Sequence, residues 1–124
     1  MSPLAKKLGI KPDHRVVVLG APEGILDLLE PLPEGASVSV RVGRTPSDCA
    51  LVFAADAAAL PASFPVTDRL WIAYPKGGKK AGTDLNRDIL WEKMGAHGLT
   101  GVSLVAVDGV WSAMRFRPTA EVGA

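Results

Sequence analysis

Three uninterrupted apolar runs constrain the fold of this chain more than any other feature. They read RVVVLG (15–20), CALVFA (Cys49–Ala54) and LWIAY (Leu70–Tyr74). None alternates polar with apolar residues, which is typical of strands buried on both faces of a parallel sheet. Helical or turn-rich segments separate the runs. The order therefore predicts an α/β fold in which helices cover the faces of one sheet.

Two short helices are predicted in the first third of the chain. Ser2 is a suitable N-cap and Gly9 a suitable C-terminal stop, so SPLAKKLG predicts a helix of two turns. APEGILDLLEPL predicts a second helix that starts at the proline after the first strand. Its apolar residues Ile25, Leu28 and Leu29 are expected to share one buried face.

The last third of the chain predicts a longer helix and a hairpin. Thr83 or Asp84 is expected to cap a helix that runs to about His97. VSLVAV and VWSAMRF then flank the dipeptide Asp108-Gly109, and Asp-Gly between two apolar runs is a strong hairpin signal. The hairpin makes the predicted sheet mixed, since its two strands run antiparallel.

The strand SVSVRV (Ser37–Val42) differs from the other runs because it alternates. Its valines at 38, 40 and 42 predict one buried face at an edge of the sheet. The linker to the next strand, GRTPSD, has six residues, whereas a parallel crossover needs about a dozen. The strand is therefore either short and skewed or not parallel to its successor. Such an edge strand could also pair with a second copy, which predicts a possible homo-oligomer.

Length and composition indicate one domain at 1–124, with a helical arm at 1–13 and a loose tail from 118 to 124. The net charge of +1 argues against bulk nucleic-acid binding. No apolar run reaches the length of a membrane span, and Met1–Lys11 lacks the apolar core of a signal peptide. A single cysteine, Cys49, cannot form an internal disulfide. These features together predict a cytoplasmic location.

The loop YPKGGKKAGTD is the main candidate for a binding site. It follows a buried strand, where open α/β sheets bind their ligands, and Pro75 is expected to line the site. Gly77 and Gly82 have the spacing of a phosphate-binding P-loop, but Thr83 follows where the P-loop lysine should be. The loop is predicted either to bind a small anion or to be a solvated turn. Three lysines carry its positive charge: Lys76, Lys79 and Lys80.

The start of the last strand supplies two further candidates, Trp111 and Ser112. Alternation places them on opposite faces of the sheet. In an antiparallel arrangement Trp111 should lie close to Lys76, within about 10 Å or two strand spacings. No Ser/His/Asp order, CxxC or HExxH occurs, so no catalytic residue and no metal ligand is predicted.

The segments VVVLGAPEG, DCALVFA and LWIAYPK, with the final helix and hairpin, resemble the core of class I methyltransferases. The resemblance implies a three-layer Rossmann-like mixed sheet, mostly parallel and ending in an antiparallel hairpin. It also implies that the glycine-rich turn after the first strand lies under S-adenosylmethionine. Candidate ligand-binding residues in that turn are Gly20, Glu23 and Gly24.

A closer resemblance covers nearly the whole chain. LAKKLGIKP, VLGAPEG, LWIAYPK and DGVWSAMRF are similar to the small bacterial proteins of the domain of unknown function 3052 family. The resemblance implies a shortened methyltransferase-like sheet, and the family has no established activity.

The sequence departs from the methyltransferase pattern at both cofactor contacts. Pro22 removes a backbone N–H from the turn, and the second strand ends in Arg41 rather than an acidic residue. Asp48 could replace that acid only in an extended strand. We therefore predict no cofactor and a non-catalytic interaction or regulatory module with a small anionic ligand at 75–83. The alternatives are an S-adenosylmethionine- or nucleotide-binding enzyme and a structural oligomer subunit.

Overall fold

A computed structural model describes residues 1–43, 45–61, 64–65, 67 and 69–122. In these ranges the chain forms three α-helices and six strands. The helices are α1 (Pro3–Leu8), α2 (Ile25–Leu29) and α3 (Arg87–Gly95). The strands are β1 (Arg15–Leu19), β2 (Ser37–Ser39), β3 (Cys49–Phe53), β4 (Leu70–Pro75), β5 (Leu99–Ala106) and β6 (Trp111–Pro118).

The six strands form one sheet in the order β2-β1-β3-β4-β6-β5. The first four are parallel to one another, and β6 runs antiparallel to both β4 and β5. The predicted mixed α/β sheet with a C-terminal antiparallel hairpin is therefore confirmed. Its parallel strands β3 and β4 are buried along their whole length, as their uninterrupted apolar sequences predicted.

Helices cover both faces of the sheet, which gives three layers. One apolar cluster joins α1 and α2 to residues of β1, β3 and β4, and it includes Leu8, Leu29, Leu51 and Trp71. A second cluster on the opposite face packs α3 against the sheet through Leu90 and Met94. We call these the α1 face and the α3 face.

The edge strand is shorter than its sequence predicted. β2 keeps only three residues paired in parallel with β1, and Val40 and Val42 lie beyond it with 57% and 59% of their surface exposed. The prediction that residues 38, 40 and 42 share a buried face is therefore wrong for Val40 and Val42. The chain must leave the sheet early, because β1 lies between β2 and the next strand. Because β2 is short, the residues after Ser39 add to the connection, and the chain can reach β3. A short strand was one of the two predicted alternatives.

The second helix starts later than predicted. It begins at Ile25, and Gly24 precedes it with a φ of +88°, a left-handed conformation that favours glycine. Ile25 and Leu29 are buried, but Leu28 is 41% exposed. Leu28 is therefore not part of the buried face, because a helix of five residues presents only one narrow stripe to the sheet.

The third helix also has a different cap from the one predicted. The side chain of Asn86 accepts a hydrogen bond of 2.8 Å from the N–H of Ile89. Thr83 instead accepts from the N–H of Leu85, and Asp84 accepts from a neighbouring loop. Neither can cap α3, since a cap must reach a backbone N–H in the first turn of the helix.

Both predicted terminal segments contain ordered structure. The hydroxyl of Ser2 donates to the carbonyl of Leu29 at 3.0 Å, so α1 is joined directly to α2. At the other end, β6 extends to Pro118, and the N–H of Thr119 donates to the carbonyl of Gly98 at 2.8 Å. The predicted loose tail therefore begins within a strand. Gly123 and Ala124 lie outside the described residues.

Candidate functional site at the carboxyl ends of the strands

The candidate residues gather at the edge of the sheet where the parallel strands end. The turn 20–24 follows β1, the loop 76–83 follows β4, and the antiparallel β6 starts at the same edge. Open α/β sheets bind ligands at this edge because the loops there surround a crevice. We call this region the strand-end site.

The predicted proximity of Lys76 and Trp111 is confirmed. Pro75 is the register partner of Trp111 across the β4–β6 pair. The backbone N–H of Lys76 donates to the carbonyl of Val110 at 2.8 Å, and its side-chain amino group donates to the carbonyl of Asp108 at 2.7 Å. Lys76 is thus held against the hairpin that precedes Trp111.

The hairpin turn is ordered by its own aspartate. The Oδ1 atom of Asp108 accepts from the N–H groups of Val110 and Trp111, both at 2.8 Å. Such a turn holds the carbonyl of Asp108 in place as an acceptor for Lys76. This acceptor is a neutral carbonyl, and no described carboxylate lies within 4.0 Å of the Lys76 amino group. Its remaining N–H groups can therefore bind a ligand.

The turn after β1 has little room beneath it. Gly20 has a φ of +70°, and a Cβ placed there would lie 3.1 Å from the carbonyl oxygen of Phe53. Gly24 has open space at the equivalent point, with no atom within 4 Å. Glu23 is exposed between them. The turn therefore lies directly against the end of β3 at Gly20 and faces open space at Gly24.

Phe53 is the residue of this region that the sequence analysis missed. Its ring meets the indole of Trp111 edge to face, with the ring centroids 5.1 Å apart and the planes at 77°. Phe53 is also buried, and its carbonyl oxygen would lie 3.1 Å from a Cβ added at Gly20. It therefore occupies the end of β3 between the turn and Trp111. The available signal was that Phe53 is the bulkiest residue of CALVFA and stands at its carboxyl end.

The other candidate residues do not cluster with Lys76 and Trp111. Lys79 and Lys80 are exposed in a 3-10 turn, Gly78–Ala81, and within the described residues their side chains have no hydrogen bond or ion pair. Ser112 pairs with Tyr74 and lies on the α3 face, opposite to Trp111. Among the described candidates, Pro75 pairs with Trp111, and Lys76 bonds to the hairpin residues that directly precede Trp111.

The alternative ribose anchor lies at the wrong end of the sheet. The carboxylate of Asp48 accepts from the N–H of Arg15 at 2.7 Å, where β1 begins. Arg41 is exposed beyond the end of β2. Asp48 is therefore about a full strand length away from the turn at Gly20 and cannot anchor a ligand there.

Burial opposes ionisation of two titratable side chains in the core, Cys49 and Tyr74. Burial raises the pKa of the Cys49 thiol to about 12, with the charges of Arg69 and Arg115 lowering it only in part. Burial also raises the pKa of Tyr74. Among the described residues no group of three His, Cys, Asp or Glu side chains could hold a metal ion. No helix in the same residues is long and apolar enough to cross a membrane.

A second concave region lies on the α3 face, away from the strand-end site. It is a groove of about 360 Å³ whose lining includes Trp91, Leu104 and Met114. The indole of Trp91 is 51% exposed and lies against the backbone of Gly101. No local sequence pattern predicts this groove, because it forms where α3 packs against the hairpin.

Comparison with known proteins shows a likeness in fold. No protein-family model and no curated protein matches the chain. The fold resembles the crystal structure of a presumed RNA methyltransferase from Pyrococcus horikoshii, with a TM-score of 0.54 and 12% identity over 96% of this chain and 80% of that chain. The chain has a methyltransferase-like fold. Membership of the domain of unknown function 3052 family stays a prediction.

Proposed function

We propose that this methyltransferase-like domain is non-catalytic and acts as an interaction or regulatory module that binds a small anionic ligand at the loop 75–83. The observation that carries the proposal is the position of Phe53. Its buried side chain packs against Trp111, and its carbonyl oxygen lies close beneath Gly20, in the turn that the methyltransferase resemblance implies to be next to a cofactor. The turn also lacks one N–H at Pro22, and no acidic residue ends β2.

The anion would be held mainly by Lys76. Its amino group is positioned by the carbonyl of Asp108 and carries an unneutralised charge beside the half-buried indole of Trp111. Lys79 and Lys80 add exposed positive charge further along the loop. Charge-assisted hydrogen bonds of this kind favour a carboxylate or phosphate group. We also propose that the chain belongs to the domain of unknown function 3052 family and acts in the cytoplasm.

Titration of the ¹⁵N-labelled protein, followed by the amide signals of 76–82, tests the proposal. Citrate should shift the loop signals in the wild type but not in Lys76→Gln, whereas Lys93→Gln on α3 removes the same charge and should respond like the wild type. S-adenosylmethionine should shift none of the signals of 20–24. Micromolar binding of S-adenosylmethionine would refute the non-catalytic role, and an unchanged citrate response in Lys76→Gln would refute the ligand site.

A second candidate is an enzyme that binds S-adenosylmethionine or a nucleotide in an altered pocket. The open space at Gly24 favours it, since a ligand could approach the backbone there. Stabilisation of the fold by S-adenosylmethionine, lost in Gly24→Leu, would support this candidate over the first.

A structural oligomer subunit is the third candidate. The sequence placed the pairing edge at Ser37–Val42, but β2 has three residues, whereas the opposite edge strand β5 has eight. The side chains of Val102 and Leu104 on β5 are exposed, so β5 is the better pairing edge. Light scattering that finds only monomers at high protein concentration would remove this candidate.

A further inference from the structure

Three arginines lie together on the α1 face at the end of the sheet opposite the strand-end site. The β4–β6 register pairs Trp71 with Arg115 and Leu70 with Phe116, and Arg69 and Arg117 are the next residues beyond that last pair. Residues two apart on a strand share a face, which places all three guanidinium groups on the same side as Trp71. The Nη1 atom of Arg69 donates to the carbonyl of Gly9 at 3.0 Å, at the end of α1.

The charge of this arginine cluster is not balanced by the described residues. The Nε atom of Arg115 is buried and has no hydrogen-bond partner among the described residues. Burial first, and then the positive charges of Arg69 and Arg117, lower the pKa of Arg115. In the part of the chain that the structure describes, the one ion pair within 4.0 Å joins Arg87 to Asp88 on another element. A buried donor and three like charges are costly without an acceptor.

We propose that Arg69, Arg115 and Arg117 form a binding site for a phosphate group. A guanidinium group donates two parallel N–H bonds to phosphate oxygens, and a dianion would relieve the repulsion among the three cations. Arg115 is half-buried and would contribute its terminal guanidinium N–H groups, because its Nε atom is closed to solvent. A phosphate with its tetrahedral oxygens can accept from several arginines at once, which a single carboxylate does less well.

Hydroxyl groups extend the site on the side of β5. Thr100 pairs with Arg117 across the β5–β6 ladder, and its hydroxyl lies 2.8 Å from that of Thr119. One of these two hydroxyls donates to the other, so the second hydrogen is left to donate to an anion. This site does not include Lys76, which lies at the opposite ends of the strands. An experiment can therefore refute either binding site without refuting the other.

Thermal unfolding in inorganic phosphate, with chloride at equal ionic strength as the reference, tests this site. We expect phosphate to raise the Tm of the wild type above the chloride value, because a ligand bound only by the folded state stabilises it. Arg115→Gln should weaken phosphate binding at least tenfold, and the exposed Arg117→Gln should weaken it without affecting folding. Lys93→Gln, which removes a positive charge from α3, should keep the full response.

Two outcomes would overturn the proposal. One is a wild-type Tm that rises no further in phosphate than in chloride. The other is an equal phosphate response in the wild type and in Arg117→Gln, which would place any bound phosphate elsewhere. A parallel titration with adenosine monophosphate identifies the source of the group: tighter binding than inorganic phosphate supports a phosphorylated metabolite, and equal binding supports the free ion.

Discussion

Phe53 and Trp111 are in edge-to-face contact across the end of the sheet, with 5.1 Å between their ring centroids. They come from β3 and β6, strands that are separated in the sheet by β4. The carbonyl oxygen of Phe53 also lies 3.1 Å from the position of a Cβ added at Gly20, so the contact is next to the turn after β1. The same two side chains therefore stabilise the core and border the strand-end site.

Replacing Phe53 with alanine should lower the free energy of unfolding by about 3–5 kcal/mol, the usual cost of deleting a buried aromatic ring. A double-mutant cycle with Trp111→Ala should give a coupling of about 0.5–1.5 kcal/mol, as expected for an edge-to-face pair. Urea unfolding measures all four proteins. Leu28→Ala, at an exposed position, is the control and should cost far less.

Gly20→Ala should be more destabilising than Gly24→Ala, although both glycines have positive φ. Each substitution costs about 1–2 kcal/mol for the left-handed backbone. Only at Gly20 would the added Cβ also lie 3.1 Å from the carbonyl of Phe53. The difference between the two unfolding free energies isolates that contact, and equal losses would contradict the close approach of the turn to β3.

Gly101→Ala should displace the indole of Trp91 from the groove on the α3 face. The new Cβ would lie 2.6 Å from the sulfur of Met114 and 2.7 Å from Cδ1 of Trp91, so one of these side chains must move. We expect a loss of about 1–3 kcal/mol from overpacking, with a change in tryptophan fluorescence. Gly109→Ala, where the Cβ meets nothing within 4 Å, should change neither quantity. The double variant with Trp91→Ala should recover part of the lost stability.

The stability of the protein should fall at alkaline pH partly because of Cys49. Burial raises the pKa of its thiol from 9.0 to about 12, so the folded state keeps a proton that the unfolded state has lost. The contribution is complete below pH 9 and is lost as the pH rises toward 12, at about 1.4 kcal/mol per pH unit. Urea unfolding between pH 8 and pH 10 should show a shallower decline for Cys49→Ala than for the wild type. A parallel decline in the two proteins would contradict the buried, protonated thiol.

Local sequence patterns predicted the elements whose signals need no distant partner. The apolar runs from Arg15, Cys49 and Leu70 are strands, and the Asp108-Gly109 dipeptide joins a hairpin. A strand buried on both faces requires a continuous apolar run, and a tight turn requires residues such as Asp-Gly, so a few consecutive residues are enough to predict each. Helix starts were less predictable, because Thr83, Asp84 and Asn86 are all capable caps and only the packing of the loop selects one.

The sequence by itself determined that this chain forms a mixed α/β sheet and that Lys76 stands in a loop at the end of a buried strand. Only the tertiary structure decided what surrounds that loop. The contact of Phe53 with Trp111, the early end of β2 and the gathering of three arginines at the opposite edge all join residues far apart in the chain. Such contacts depend on strand order and register, which no local pattern of residues encodes.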